Sequence, residues 1–168
     1  MNIAYAAHEG QYRRGNGEPY INHPKRVVTL LGENLEDVIQ EMYAAAWLHD
    51  VLEDTDVTRE EILQATNQLT LDYVTYLTRA VISKTNKALN EDMYLQKLSS
   101  APVCVQNIKL CDMLDNMADL AGADDEEWAI KCIIKREKAI HYLTEADTTL
   151  YLKTYNRILA LKDLFNLK

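Results

Sequence analysis

The sequence is poor in glycine and proline, with five and three among its 168 residues. These two residue types are the strongest local markers of turns and chain breaks. All the prolines but Pro102 and all the glycines but Gly32 and Gly122 lie between residues 10 and 24. The distribution predicts a turn-rich loop near the start and regular structure over most of the remaining chain.

No apolar run approaches the roughly 18 residues that a membrane-spanning helix requires. The first residues, MNIAYAAHEGQYRR, lack the apolar core of a signal peptide. We therefore expect a cytoplasmic protein without a membrane partner. The three cysteines, Cys104, Cys111 and Cys132, are odd in number and do not have zinc-ligand spacing, which predicts reduced and mostly buried thiols.

Basic residues are outnumbered, 18 against 26 acidic ones, and the formal net charge is -8. Sequence-independent nucleic-acid binding depends on a basic surface, so this balance argues against it. The ten tyrosines are not interleaved with basic residues into a platform for single strands. We expect no nucleic-acid partner.

Helical periodicity dominates the chain and predicts an all-α fold in one domain, residues 1–168. Pro24 suits the start of a helix that stops at Gly32, and Thr58 with Glu61 has the spacing of a capping box. The β-branched content of residues 69–83 leaves a strand as the rival to a helix there. The predicted helical segments are 2–12, 24–31, 35–54, 59–66, 69–83, 91–99, 102–120, 124–143 and 149–167.

The predicted helix over 35–54 carries a chemical anomaly at its end. It is apolar on every side at 44–48, as expected of a central helix, and then continues into His49, Asp50, Glu53 and Asp54. Burying carboxylates without a partner costs several kcal/mol each, and a cation is a common remedy. The alternative is that the helix reaches the surface and this stretch is a solvated acidic end.

Two distant segments favour a site over that alternative. His23 stands directly before a helix start, and Lys109, Asp112 and Asn116 share one polar face of a later helix. His23 is also compatible with an ordinary surface histidine, and the later segment is compatible with an ordinary amphipathic helix. Imidazoles and carboxylates together suit Mn, Fe or Zn, whereas carboxylates and water alone would suit Mg or Ca.

These residues resemble the ordered H…HD…D pattern of the HD phosphohydrolase superfamily. The flanking blocks are more specific than the pattern itself. They are similar to the signature blocks of the hydrolase domain of RelA/SpoT-type alarmone enzymes, particularly the stand-alone small alarmone hydrolases. The blocks are AHEGQYRRGNGEPYINHP, AAAWLHDVLEDT and KLCDMLDNMADL, within residues 4–120.

The resemblance implies a single HD-type helical bundle with a central metal site, completed by the two last helices. It implies Mn²⁺, or another divalent transition metal, as the cofactor, and a guanine nucleotide as the partner. The implied reaction is hydrolysis of the 3′-pyrophosphate of guanosine tetra- or pentaphosphate to GDP or GTP and pyrophosphate. The implied metal ligands are His23, His49, Asp50 and Asp112.

The resemblance also assigns residues to the reaction and to the substrate. Glu53 and Asp54 match its acidic pair and would activate and orient the attacking water. His8 would have a structural role. Whether the chain forms homo-oligomers stays open. The implied substrate-binding residues are Arg13, Arg14, Tyr20, Lys109 and Asn116.

Two departures from the family pattern leave the substrate open. The loop RRGNGEPY is one residue longer than in the common form, and Met113 and Ala118 stand where basic residues are frequent. One alternative is an HD-type phosphatase or pyrophosphatase for another nucleotide, such as NADPH. Another is a catalytically silent module that binds the alarmone.

Overall fold

The computed structural model describes residues 2–14 and 16–168, and this part of the chain is helical without a named strand. Gly15 of the predicted loop lies outside the described residues. One short 3₁₀ helix covers Leu120–Gly122. The α-helices are α1 (Asn2–Ala7), α2 (Asn22–Asn34), α3 (Gln40–Leu48), α4 (Val51–Asp54), α5 (Arg59–Ala65), α6 (Gln68–Leu77), α7 (Lys87–Ser99), α8 (Val103–Asn116), α9 (Glu126–Ile140) and α10 (Thr148–Leu164).

The predicted all-α class is therefore confirmed, and local chemistry explains several helix starts. Thr58 and Glu61 form the predicted capping box of α5, because each side chain accepts a hydrogen bond from the other residue's backbone N–H. Asn67, Asn86 and Asp125 accept from the third backbone N–H of α6, α7 and α9 in the same way. These bonds satisfy N–H groups that have no partner inside the helix.

Helices α2, α3 and α8 pack on one another and form the centre of the core. The predicted apolar stretch at 44–48 lies in α3, where Ala45, Ala46 and Leu48 are buried. Helix α6 packs against α3, and α10 packs against both α8 and α9. This arrangement brings the start of α2, the end of α3 and the middle of α8 together.

The prediction of one helix over 35–54 is wrong. Helix α3 begins only at Gln40, ends at Leu48, and is separated from α4 by a turn at His49 and Asp50. The Nδ1 atom of His49 lies 2.8 Å from the carbonyl oxygen of Ala46. This oxygen is the acceptor that the Asp50 N–H would use in a continuing helix. The break places the two side chains beside each other at the end of α3.

The segment 69–83 is a helix in its first part, so the strand alternative is wrong. Helix α6 ends at Leu77, and residues 79–83 are not helical. The backbone N–H of Arg79 donates to Glu53 Oε1 at 2.6 Å instead of to a helical carbonyl. The side chain of an acidic residue from α4 therefore holds the chain in its new direction.

Gly32 does not end α2, contrary to the prediction, since the helix runs two residues further. A Cβ atom at Gly32 would lie 3.0 Å from the hydroxyl oxygen of Tyr43 in α3. Glycine at this position serves the close approach of α2 to α3. The other predicted segments that end three or more residues early are 2–12, which stops at Ala7, 102–120, which stops at Asn116, 124–143, which stops at Ile140, and 149–167, which stops at Leu164.

No helix in the described part of the chain combines the length and the apolar character that crossing a membrane would need.

Candidate metal centre

Two histidines and two aspartates from three parts of the chain meet in the core. The Nε2 atoms of His23 and His49 are 3.2 Å apart. Asp50 Oδ2 lies 2.9 Å from His49 Nε2 and 3.5 Å from His23 Nε2. Asp112 Oδ1 lies 3.1 Å from His23 Nε2 and 3.6 Å from His49 Nε2. His23, His49 and Asp50 thus present donor atoms within 4.8 Å of one another, and Asp112 approaches both imidazoles.

Both imidazoles are oriented by hydrogen bonds at their other nitrogen. His23 Nδ1 lies 2.7 Å from Asp115 Oδ2, and His49 Nδ1 lies 2.8 Å from the carbonyl oxygen of Ala46. With the proton on Nδ1, each neutral ring turns the lone pair of Nε2 toward Asp50 and Asp112. The Nε2 lone pairs and the two carboxylates are electron-rich groups that repel one another unless a cation lies between them. The donor set therefore fits a first-row divalent metal.

The ionisation of the cluster reflects the same need for positive charge. Burial lowers the pKa of His23, but hydrogen bonds to Asp112, Asp115 and Asp50 outweigh it and raise the pKa to about 9. Burial likewise opposes the charged form of His49, and the negative charge of Asp50 raises its pKa well above the usual value. Without a metal, protons on His23 and His49 supply the positive charge that the neighbouring carboxylates need.

We predict that metal binding strengthens as the pH rises from about 6.5 to about 9. A metal must displace the protons on His23 and His49, and each displaced proton makes the apparent affinity rise by up to about tenfold per pH unit. The stabilisation that protonated His23 gives the metal-free fold is complete below pH 6.5 and is lost as the pH rises through about 9. Calorimetric Mn²⁺ titrations in buffers of different ionisation enthalpy measure the proton release.

Chemical denaturation of the metal-free protein across the same pH range is the control for this prediction. The free energy of unfolding should fall toward high pH. An affinity for Mn²⁺ that does not depend on pH between these limits would contradict the prediction.

Tyr20 connects the cluster to Asp54. Its hydroxyl lies 2.6 Å from Asp50 Oδ2 and 3.3 Å from Asp54 Oδ2, and its ring packs on His8 with centroids 4.7 Å apart. Burial and the nearby carboxylate of Asp50 raise the pKa of Asp54. Gln11 donates to the backbone carbonyl of Asp54 at 2.9 Å. The loop before α2 therefore holds Asp54 beside the cluster.

Glu53 and Asp112 each have a cationic neighbour. Glu53 accepts from the backbone N–H of Arg79 at 2.6 Å and from its guanidinium at 3.3 Å. Asp112 Oδ2 accepts from Lys109 Nζ at 2.6 Å, and Asp112 Oδ1 accepts from Asn116. Asp112 thus keeps Oδ1 toward the histidines while Oδ2 is neutralised by Lys109.

The cluster opens into a cavity of about 850 Å³. Asp50, Glu53, Asp54 and Asp112 line it together with the predicted substrate residues Tyr20, Lys109 and Asn116. The rest of the lining adds four cations and one further carboxylate, Glu91. The lining cations are Arg79, Lys87, Lys109, Lys135 and Arg136.

Sequence reasoning missed four of these cations: Arg79, Lys87, Lys135 and Arg136. The run KREK in α9 was visible, but an amphipathic helix with basic residues does not show what its polar face is turned toward. Packing of α9 against α10 decides that orientation.

Arg13 and Arg14 are not brought to this cavity. Arg13 donates to Asp115 Oδ2 and to Asn116 Oδ1, both at 3.2 Å. Arg14 pairs with Asp125 at 3.1 Å and lies over the ring of Trp128. Their contacts fasten the loop to α8 and to the start of α9. A contact of either arginine with substrate stays a prediction.

The two residues that depart from the family pattern have different surroundings. Met113 is buried and lines the 850 Å³ cavity, whereas Ala118 lies outside it and borders another one. The long loop is pinned at its tip, where Asn16 donates to Asp119 at 2.9 Å. Only Met113 of the two substitutions therefore changes the wall of this cavity.

The helical fold and the buried histidine–aspartate cluster define the class of protein. Residues 1–137 match the HD domain family, and the chain belongs to that family.

Sequence relatives within the family carry a particular name. The chain is 33% identical over 140 residues to the guanosine-3′,5′-bis(diphosphate) 3′-pyrophosphohydrolase MESH1 of Danio rerio, covering 77% of this chain and 71% of that protein. It is 38% identical over 131 residues to a probable enzyme of the same name from Synechocystis sp., covering 74% of this chain. The match spans only 17% of that longer relative.

Solved structures share the fold. One is described as a metazoan ortholog of SpoT that hydrolyzes ppGpp and plays a role in starvation responses. It has a TM-score of 0.86 at 24% identity and covers 97% of this chain and 93% of that one. A structure from Listeria monocytogenes has a TM-score of 0.67 at 17% identity, covering 89% of this chain and 98% of its own.

Proposed function

We propose that this protein hydrolyses the 3′-pyrophosphate of guanosine 3′,5′-bis(diphosphate) and of its pentaphosphate analogue, releasing GDP or GTP and pyrophosphate. The observation that carries the proposal is a histidine–aspartate cluster that opens directly into a cavity lined by five cations. Relatives of the chain bear the name of this activity. A cell with such an enzyme lowers its alarmone level.

The proposed cofactor is Mn²⁺, held by His23, His49, Asp50 and Asp112. Two imidazole nitrogens and two carboxylates suit Mn²⁺, and the same set is compatible with Fe²⁺ or Zn²⁺. When bound, the metal supplies a Lewis acid that lowers the pKa of water and polarises a phosphoryl oxygen.

Glu53 and Asp54 are the proposed residues for the attacking water. Both line the cavity next to Asp50, and the raised pKa of Asp54 brings its carboxylate closer to the range of a useful proton acceptor. In the reaction, the water oxygen bonds to the phosphorus on the 3′ oxygen while that P–O bond breaks. The carboxylate takes one proton from the water and returns it to the leaving 3′ oxygen, and the other water proton stays on the released pyrophosphate.

The cations around the cavity are proposed to hold the two diphosphate groups. Lys109, Asn116 and Tyr20 lie nearest to the cluster through their contacts with Asp112 and Asp50. Arginine and lysine both bind phosphate oxygens, and arginine adds bidentate contacts. Lys135 and Arg136, on α9, are proposed to meet the end of the substrate that does not react. Arg136 also donates to the backbone carbonyl of Cys132 at 2.9 Å.

We predict that replacing Lys135 and Arg136 by glutamine raises KM for the tetraphosphate by about tenfold or more and changes kcat less. Each substitution removes a charge-assisted contact worth about 1.5 kcal/mol or more. Steady-state kinetics with saturating Mn²⁺ measure the effect. Lys131→Gln in the same helix is the matched control, because Lys131 pairs with Glu127 and does not line the cavity. An unchanged KM in the double variant would contradict the placement of the diphosphate.

The decisive experiment is a Mn²⁺-dependent assay on guanosine tetraphosphate that identifies the products. Pyrophosphate together with GDP supports the proposal. Orthophosphate alone, or turnover only of another nucleotide such as NADPH, would replace it with a different HD-type phosphatase. Tight alarmone binding without any turnover would instead support a silent regulatory module.

The remaining predictions concern the whole chain. We propose that residues 1–168 form one domain, which the packing of α10 on α8 and α9 supports. Limited proteolysis should then find no cut that separates α10 from the rest while both parts stay folded. It stays a prediction that the protein has no nucleic-acid or membrane partner and that it is cytoplasmic. Whether it forms homo-oligomers stays open.

A further inference from the structure

A second cavity, of about 570 Å³, lies between α2, α8 and α10. It shares no lining residue with the cavity at the metal centre. Its apolar wall comes from Leu30, Leu114 and Ala118. The small side chain of Ala118, just beyond the end of α8, leaves room at the mouth.

Three cations surround the apolar wall: Arg26, Lys153 and Arg157. Lys153 donates to the amide oxygen of Asn34 at 2.7 Å, and Arg157 donates to the backbone carbonyl of Met117 at 2.9 Å. In the described part of the chain, no carboxylate comes within ion-pair distance of either. Both cations are therefore available to an anion.

Two carboxylates also line this cavity, but they do not cancel its positive charge. Glu33 is exposed at its edge, and Asp115 is buried and already bound by Arg26, Arg13 and His23. Arg26 is already paired with Asp115 and with Glu18. Lys153 and Arg157 therefore supply the positive charge of this cavity, against the exposed Glu33. An apolar wall with a cationic rim is complementary to a small molecule that has an apolar body and one negative group.

The second cavity is connected to the metal centre by two short hydrogen bonds. Arg26 Nε lies 2.5 Å from Asp115 Oδ1, and Asp115 Oδ2 lies 2.7 Å from His23 Nδ1. The Arg26 guanidinium also donates to both carboxylate oxygens of Glu18. An anion beside Arg26 therefore competes with Asp115 and Glu18 for the guanidinium. Asp115 would then lose the guanidinium that fixes both of its oxygens in position, so it would orient the His23 ring less firmly. Carboxylates that orient a ligand histidine influence metal affinity strongly.

We propose that this second cavity binds a small organic anion, with one carboxylate or phosphate group on an apolar body of aromatic size, and that its occupancy weakens Mn²⁺ binding at the first site. The binding is independent of the function proposed above. The coupling rests on His23 being a metal ligand. Because thermodynamic coupling is reciprocal, bound Mn²⁺ must lower the affinity for the anion by the same factor.

The binding is tested on the metal-free protein of residues 1–168 with 2-naphthoate as the probe, by methyl NMR. The methyl signals of Leu30 and Leu114 should shift in a saturable way, while those of Leu95, in the first cavity, should not. Neutral 2-naphthalenemethanol, which lacks the charge, and inorganic phosphate, which lacks the apolar body, should each bind about tenfold more weakly or worse. Shifts confined to Leu95, or no saturable shift, would overturn the proposal.

Variants locate the site without touching the metal centre. Ala118→Trp fills the mouth of the cavity, and Lys153→Gln removes a cation from its rim. Each substitution should lower the affinity for 2-naphthoate by about tenfold. Lys25→Gln is the matched control, because Lys25 is exposed on α2 and does not line the cavity. Equal affinity in all three variants and the parent would overturn the assignment.

The coupling is measured as the Mn²⁺ affinity with and without saturating 2-naphthoate. We expect a loss of about threefold or more, a coupling free energy within the usual range for linked sites. The Ala118→Trp variant should show no loss, which separates coupling from direct capture of Mn²⁺ by the carboxylate. An unchanged Mn²⁺ affinity in the parent would overturn the coupling, and the alarmone assay decides the proposed function separately.

Discussion

Replacing Asp50 with asparagine is expected to abolish both metal binding and turnover. Asp50 Oδ2 lies 2.9 Å from His49 Nε2 and also accepts from Tyr20 at 2.6 Å. Asparagine has nearly the same shape, but it lacks the negative charge that a divalent cation requires from this ligand. Elemental analysis of the purified variant and the Mn²⁺ assay measure the two losses. His49→Ala should give the same result through loss of an imidazole ligand.

The control for this prediction is Asp56→Asn. Asp56 follows two residues after Asp54, is exposed, and does not line the cavity at the metal centre. This variant should keep its metal and its activity. Thermal unfolding of the Asp50 variant distinguishes loss of a ligand from loss of the fold. Unchanged metal content in Asp50→Asn and His49→Ala would show that the ligand assignment is wrong.

Replacing Glu53 with glutamine should leave metal binding intact and lower kcat by about 10²–10⁴-fold, the usual contribution of a general base. Glutamine keeps an oxygen that can accept the backbone N–H of Arg79, now bound at 2.6 Å, so the chain direction after α6 should be preserved. What it loses is the negative charge and the ability to take a proton. Metal analysis and the pH profile of kcat measure the effect.

Glu91→Gln is the matched control for Glu53. Glu91 also lines the cavity and lies 3.9 Å from the Arg79 guanidinium, but it is not adjacent to the ligands in sequence as Glu53 is. We expect its substitution to change kcat little. Equal small effects in both variants would leave Glu53 without a role in proton transfer. If Asp54→Asn, rather than Glu53→Gln, removes the acidic limb of the pH profile, Asp54 is the base.

Much of the fold could be predicted because helix formation here depends on local patterns. The capping box at Thr58 and Glu61 and the amphipathic periodicity of the last two helices involve residues within one or two turns. The helix break at His49 could not be predicted in the same way. It depends on the imidazole meeting the Ala46 carbonyl while its other nitrogen meets the cluster.

The candidate metal centre could be predicted for a different reason. Its residue types and their order along the chain point to one chemistry, and the structure brings His23, His49, Asp50 and Asp112 together as that chemistry requires. The substrate side was less predictable. Arg13 is 102 residues from the aspartate that it binds, and no local pattern shows that its guanidinium is already engaged.

The amino-acid sequence by itself determined the helical class, most of the helices and the candidate ligands, since these follow from periodicity, caps and residue chemistry within short windows. Only the tertiary structure decided where α3 stops and which cations face the cavity. It also decided that Asp115, and not solvent, holds His23 in place. Those outcomes depend on contacts between helices that are distant in the chain, and the free energy of such contacts is set by packing and burial rather than by local preference.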